Sequence, residues 1–440
     1  MISSLAVGSA ASPTPGPAAV EAPPAGGGSS PAPAPFLGPD GRPANVAIST
    51  PSADPGEDRR GVDAEEALQK DVYAGFTPGV TVLDLAVTPD GLGGQLALAL
   101  QSDGVLRVLS LAGETPRELV SYPLSTRRPL RELGRLTPGE AGRFLVPEAT
   151  GVALFAPTSA RSAEDVTWVD LAGSSVTWPR GTPDSAGFEA GGSPLPIGGT
   201  SAALELGGRL FVTSTNPAGE RGHWPGTLSV IDLEGRAAPR IVATGGFVPS
   251  GLSLLRSAAG TRLLVTNSGA PGSPSSVDLV DPGSLERLSS VSLPAGAWGP
   301  VLVTPDGTRG FLACEREARV LVLDLSGAAP SYLGRLELPS AADRNQISQL
   351  LLDPFGRLVV VNHFESALYL LSFAGTGASL QRMSGFSRSG DPSRLEGLLE
   401  RVALRSAAEG VELLALTVEL APGDQSVPGV SAALDVVRLP

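Results

Sequence analysis

One short segment ending recurs along the chain at a nearly even interval. It reads Leu109-Ser-Leu-Ala-Gly113, Val169-Asp-Leu-Ala-Gly173, Ile231-Asp-Leu-Glu-Gly235, Val280-Asp-Pro-Gly283, Leu323-Asp-Leu-Ser-Gly327 and Leu371-Ser-Phe-Ala-Gly375, with a degenerate copy at Ala433-Leu-Asp-Val-Val-Arg-Leu439. The Asp or Ser of the first six falls at 110, 170, 232, 281, 324 and 372, so successive spacings run from 43 to 62 residues. A repeat of this kind constrains a fold strongly. Each unit is one small piece of structure that can bury its apolar surface only against a neighbouring copy.

The unit around each ending is a set of four short apolar runs with turn signals between them. The clearest is Pro300-Val-Leu-Val-Thr-Pro-Asp-Gly307, Gly310-Phe-Leu-Ala-Cys314, Arg319-Val-Leu-Val-Leu-Asp-Leu-Ser-Gly327 and Tyr332-Leu-Gly-Arg-Leu-Glu-Leu338. The first copy is close to it: Leu83 to Gly91, Gln95 to Leu100, Val105 to Gly113 and Arg117 to Tyr122. Four strands per unit at a period of about 40–50 residues is the signature of a β-propeller blade. Seven copies fit between residues 83 and 440, which predicts an all-β, seven-bladed β-propeller over residues 81–440. The last copy has strands near 396–404, 411–419 and 432–439 and then the chain stops, without an outermost strand. An incomplete blade would expose an unpaired edge. The expectation is therefore that an N-terminal strand closes the last blade, with Asn45 to Thr50 and Asp71 to Phe76 as the two candidates.

Composition agrees. Gly (55) and Pro (41) together are 96 of 440 residues, too many for a mainly helical chain. At 42% hydrophobic residues a large core is still affordable. These turn formers belong to two populations. Residues 1–60 are Pro/Ala/Gly/Ser-rich; from Ser12 to Pro35 there is a single charge, Glu21, and the segment reads as an extended or disordered tether of the kind that follows a signal or a lipid anchor, the alternative being a strap packed along the domain. Residues 61–80 are expected to hold a short helix opened by Asp63-Ala-Glu-Glu66 and a lead-in to ring closure. The rest punctuate the strands.

Several functions are disfavoured. A net charge of −13 argues against nucleic acid, which demands a basic face. Cys314 is the one cysteine, so no intrachain disulfide and no cysteine-rich zinc site can form. Lys70 is the one lysine, which leaves no Walker A loop or Schiff-base lysine in the repeat region. No apolar run reaches the roughly 18 residues of a membrane span. Met1 to Ala11 lacks a basic n-region and does not read as a signal peptide. No nucleophile elbow, HExxH, EF-hand loop or dinucleotide fingerprint is present.

Leu263-Leu-Val-Thr-Asn267 after a Gly turn, and Val303-Thr-Pro-Asp-Gly307 followed by Val320-Leu-Val-Leu-Asp-Leu325, resemble the repeats of YVTN-type, lactonase-like seven-bladed propellers. The resemblance spans about residues 80–440 and rests on structural consensus. It implies the propeller fold and a group that includes lactonases, surface-layer-type proteins and cell-envelope proteins. The tyrosine of the name motif is absent from these copies, and no catalytic set carries over residue by residue.

Loops joining second to third strands gather on one face of a propeller. Here Gln101–Gly104, Glu315–Ala318 and Asn362–Ser366 are short, whereas Glu148–Asp165, Thr215–Gly226, Ser268–Ser275 and Ala421–Val430 are long, as is the linker Pro179–Gly199. Long loops on one rim point to binding, or to tolerated surface insertion. The candidate binding residues on this face are Arg221, His223, Trp224, Asn267, Trp298, Glu315 and His363. Trp224 beside Arg221 and His223 has the make-up of an interface anchor. His363 reads as a base or a packing histidine. Asn216, Asn267 and Asn362 with Glu315 either ring the channel mouth or start turns. Two histidines exclude a three-His zinc site. The sequence thus supports a cell-envelope or secreted scaffold with a protein partner, a glycan being less favoured, and no cofactor. The alternative is a lactonase-like hydrolase with a divalent cation such as calcium, or His363 as base, at the channel mouth.

Overall fold

The computed structural model is all-β. It describes residues 44–46 and 80–439 apart from short stretches, the longest being 125–133, 384–397 and 421–429. The tether apart from Ala44–Val46, the expected helix over 63–70, Asp71 to Phe76 and most of the loop 421–430 lie outside the described residues.

Seven antiparallel sheets follow one another along the described chain. The first is Val82–Pro89, Gln95–Gln101, Val105–Ser110 and Arg117–Pro123. The second is Thr137–Pro138, Phe144–Glu148, Gly151–Phe155 and Thr167–Asp170. The third is Thr200–Leu206, Arg209–Ser214, Thr227–Asp232 and Arg240–Ala243, and the fourth Pro249–Ser257, Gly260–Asn267, Ser275–Val280 and Arg287–Leu293. The fifth is Ala297–Val303, Arg309–Cys314, Arg319–Asp324 and Ser331–Glu337, and the sixth Ile347–Leu352, Leu358–Asn362, Ala367–Ala374 and Gly377–Met383. The seventh has three described strands, Leu398–Ala407, Gly410–Leu420 and Val430–Arg438.

The core explains why these sheets form a ring. Buried apolar clusters lie between consecutive sheets and hold, in order, Leu98 with Phe144, Leu154 with Leu210, Phe211 with Leu263, Leu264 with Leu321, Phe311 with Val360, and Val361 with Leu413. A further cluster joins Leu414 of the seventh sheet to Leu85 of the first. Each sheet is thus covered on both faces. Its second strand is correspondingly apolar at nearly every position, as in Gln95-Leu-Ala-Leu-Ala-Leu-Gln101, rather than alternating with polar residues.

Two expectations change. Asn45 does not add to the last sheet. Ala44–Val46 runs parallel to the outer strand of the fifth, with Ala44 opposite Gly334 and Val46 opposite Leu336. Any outer edge offers unpaired N–H and C=O groups, so strand propensity alone does not say which edge a segment joins. The Glu148–Asp165 loop is also corrected. Gly151–Phe155 forms a strand, and the connection to the third strand of that unit is confined to residues 156–166. The Leu171 amide donates to the Thr150 carbonyl, as Leu325 does to Thr308 and Leu233 to Gly208. Ala149-Thr150 is therefore the counterpart of the Asp-Gly turns elsewhere, hidden because it contains neither residue.

Candidate functional site

The first strands of the sheets meet around the ring axis, and all but that of the second carry a break in register near their start. The shift falls between Val82 and Asp84, Thr200 and Ala202, Pro249 and Gly251, Trp298 and Leu302, Ile347 and Gln349, and Leu399 and Arg401. A bulge leaves a residue out of the ladder and re-aims its side chain. Here residues at or next to the bulges link neighbouring strands. The Ser201 hydroxyl donates to the Pro249 carbonyl, Ser250 Oγ accepts from the Gly299 amide at 3.1 Å, and Gln349 Oε1, one residue past the bulge, accepts from the Val402 amide at 2.9 Å. The fourth and fifth inner strands come so close that a Cβ on Gly251 would overlap the Gly299 carbonyl.

The second sheet replaces the bulge with an extra strand. Gly134 donates to the Pro147 carbonyl, and Thr137–Pro138 pairs along the inner side of Phe144–Leu145. This segment carries Arg135 to the ring centre. Its Nη2 donates to the Ser348 carbonyl of the sixth sheet at 2.9 Å, and its Nη1 lies beside Gly299 of the fifth. The adjoining Leu136 amide donates to Asp84 Oδ2 of the first sheet at 2.7 Å. Asp84 Oδ1 in turn faces Arg401 Nε of the seventh sheet at 3.7 Å. Burial pushes the Asp84 carboxyl above the usual range, against the opposing pull of Arg401, Arg135 and the Leu136 amide. Asp84, Arg135 and Arg401 thus tie the first, second, sixth and seventh sheets to one another. Sequence inspection missed these ties because residues 84, 135 and 401 share no motif; the one local signal is the extra Leu136-Thr-Pro138 run ahead of a strand.

The loop face is a separate feature. Ser175–Thr177 leaves the second sheet to pair with Pro194–Pro196, and Pro217–Ala218 pairs with Gly222–His223. These two insertions interlock. The Ser185 amide donates to the His223 carbonyl and Ser185 Oγ accepts from the His223 amide, both at 2.8 Å. The Trp224 amide donates to the carbonyl of Asn216, which holds a left-handed φ of 50°. The result is a structured ledge over the second and third sheets, with His223 and Trp224 half-buried in it.

The other expected residues scatter. Asn216 Nδ2 donates to the Pro225 carbonyl at 3.0 Å and to Thr227 Oγ1 at 3.1 Å. Asn267 donates to Asp278 at 2.9 Å and to Ser276 at 3.2 Å, within its own sheet. Asn362 accepts from the Glu365 amide at 3.4 Å. These contacts brace turns and ladders rather than converge on the channel. His363 Nδ1 sits 3.3 Å from the Leu399 carbonyl, between the sixth and seventh sheets. Trp298 is half-buried opposite Ala313, next to the Gly299 that flanks Arg135. Arg221 and Glu315 lie outside the described residues. Among the described residues no three of His, Cys, Asp and Glu gather as a metal would require, and no helix is long and apolar enough to cross a membrane.

These features define a β-propeller. No family model matches the sequence, and no curated protein sequence matches it. Solved structures do. A streptogramin B lyase superposes with a TM-score of 0.50 at 9% identity, covering 84% of this chain and 99% of that one. A periplasmic gluconolactonase from Pseudomonas aeruginosa gives 0.46 at 17% identity over 77% and 96% of the two chains. The WD40 domain of Toxoplasma gondii coronin gives 0.46 at 12% over 84% and 87%. At such identities the likeness is one of fold alone.

Proposed function

We propose that this protein is a seven-bladed propeller scaffold of the cell envelope or the exterior, held on the tether 1–60, which docks a protein partner through the ledge on its loop face. The ledge carries the reading. Two insertions from consecutive sheets hold one another through paired Ser185–His223 hydrogen bonds, and pre-organised backbone of this kind lowers the cost of binding. Half-buried Trp224 supplies an aromatic anchor. Asp71 to Phe76 closes the ring in this reading. It precedes the first inner strand just as the outer strand of each sheet precedes the next sheet, and the seventh sheet has three described strands.

A photo-crosslinking residue at Trp224, expressed in the native cell, tests the docking. An adduct with a defined protein at position 224, and none from exposed Ser290 on an outer strand, is the expected result. Equal labelling from both positions would remove the ledge from consideration. Lactone hydrolysis by purified protein, lost on His363→Ala, would favour the hydrolase.

A further inference from the structure

Among the described strand pairs one runs parallel: Ala44–Val46 beside Ser331–Glu337, the outer strand of the fifth sheet. A chain that folds back through a tight turn pairs antiparallel, whereas a parallel strand arrives over a long connection. Here 35 residues separate Val46 from the first inner strand at Val82. The segment is therefore a guest on a four-stranded sheet that is already complete, rather than the next strand of its meander. Adding an extended segment to an open sheet edge is a mode of peptide recognition, in which main-chain bonds supply affinity and alternate side chains supply specificity.

The seat has features of its own. The outer strand breaks register once: Val322 pairs with Gly334 and Leu323 with Tyr332, which leaves Leu333 out of the ladder. The guest lies along Gly334, Arg335 and Leu336, the regular stretch just past that bulge. Leu333 and Leu336 are buried against the sixth sheet, so the core fixes where the edge stands. Ala44 falls opposite Gly334, a small residue against one with no side chain. Asn45 falls opposite Arg335. Arg335 Nη2 pairs with Glu337 Oε1 at 2.8 Å, yet its Nε is buried and donates to nothing among the described residues. A buried N–H without an acceptor is costly, and this one marks where the acceptor side chain of a guest binds.

We infer that this edge is a docking site for an extended segment of a partner protein, running parallel to Ser331–Glu337 with a side-chain hydrogen-bond acceptor opposite Arg335, and that Ala44–Val46 masks it in cis. The chain's own segment pairs with three of the seven residues of the outer strand. Few backbone bonds of small net worth are set against the entropy of closing the loop to Val82. A partner strand that pairs along more of the edge displaces it. The unpaired N–H and C=O groups of a strand edge match another backbone, which is why the occupant is a polypeptide. The site lies on the fifth sheet and is independent of the ledge over the second and third.

The probe is a peptide with the sequence of residues 41–50, added at millimolar concentration to the full chain carrying Asn45→Pro and Val46→Pro. Consecutive strand residues turn their amides to opposite sides, so the two prolines remove the donor that faces the fifth sheet whichever residue supplies it. Hydrogen exchange is read at Gly334–Leu336. The outward amides there are expected to exchange at least about tenfold faster in the double variant than in wild type, and the peptide to restore their protection. The Asn45→Leu form of the peptide is expected to restore less. Unchanged exchange in the double variant, or acceleration that the peptide does not reverse, overturns the proposal. Equal protection by the Asn45→Leu peptide overturns the role given to Arg335 Nε. Acceleration through all four strands of the fifth sheet would make Ala44–Val46 a part of the fold rather than a removable guest, and overturns the proposal as well.

Discussion

The Arg135 guanidinium donates to the carbonyl of Ser348, 2.9 Å away and 213 residues along the chain. That bond crosses the ring, whereas the apolar clusters tie each sheet only to its neighbours. The same side chain lies beside Gly299, and the next residue caps Asp84. Arg135→Ala leaves Asp84 buried with Arg401 as its remaining close cation. Losing the charged hydrogen bond to Ser348 costs about 2 kcal/mol. Urea denaturation should show that loss, and Asp84→Asn in the Arg135→Ala background should recover part of it by removing the buried charge.

Asp84 and Asp281 should bend the pH dependence in opposite directions. Burial raises the Asp84 carboxyl, so between its unfolded and folded pKa values the native state holds the extra proton, and stability from this group falls as pH rises through that window. Asp281 is lowered by the amides of Ser284 and Gly283, so its contribution is present above the unfolded pKa and is lost as pH falls through the folded one. Denaturation of Asp84→Asn and Asp281→Asn across the carboxylate range should show the two differences from wild type changing with opposite slopes.

Gly251→Ala should be among the costliest single-methyl insertions in the ring. The added carbon would meet the Gly299 carbonyl and the Pro300 nitrogen, which are backbone atoms of the adjoining inner strand and have no rotamer to escape into. A penalty of about 3 kcal/mol is expected in a denaturant titration. Gly173→Ala is the comparison, since it too adds one methyl at a glycine but meets nothing within 4 Å, leaving only the strain of its φ of 84°.

Ser185→Ala removes the acceptor for the His223 amide while leaving the backbone bond from residue 185 in place. About 1 kcal/mol of local stability should go with it. Hydrogen exchange at His223 should accelerate by roughly fivefold for that loss, with the inner strands unchanged. Acceleration spread across the ring would mean that the ledge is part of the global fold.

Much of the architecture was legible in the chain. The Leu-Asp-Leu-Ser-Gly endings and the Pro-Asp-Gly turns carry local backbone preferences, and strands such as Gln95–Gln101 and Arg319–Asp324 appear within a residue or two of where those signals put them. The second unit was harder to read, because Ala149-Thr150 turns the chain with no turn-forming residue and is recognised only by its hydrogen bond from Leu171.

Local spacing determined that this protein is a ring of repeated sheets, because each turn and each apolar run acts on neighbours in the chain. The tertiary structure alone decided which residues are joined across the ring. Asp84, Arg135, Ser348 and Arg401 are brought together by closure of the sheets on one another, and no period or motif connects them. It also decided that the insertions after the second sheet and within the third interlock as one ledge. Such long-range encounters depend on the curvature of the whole ring, which a sequence repeat implies but does not place in space.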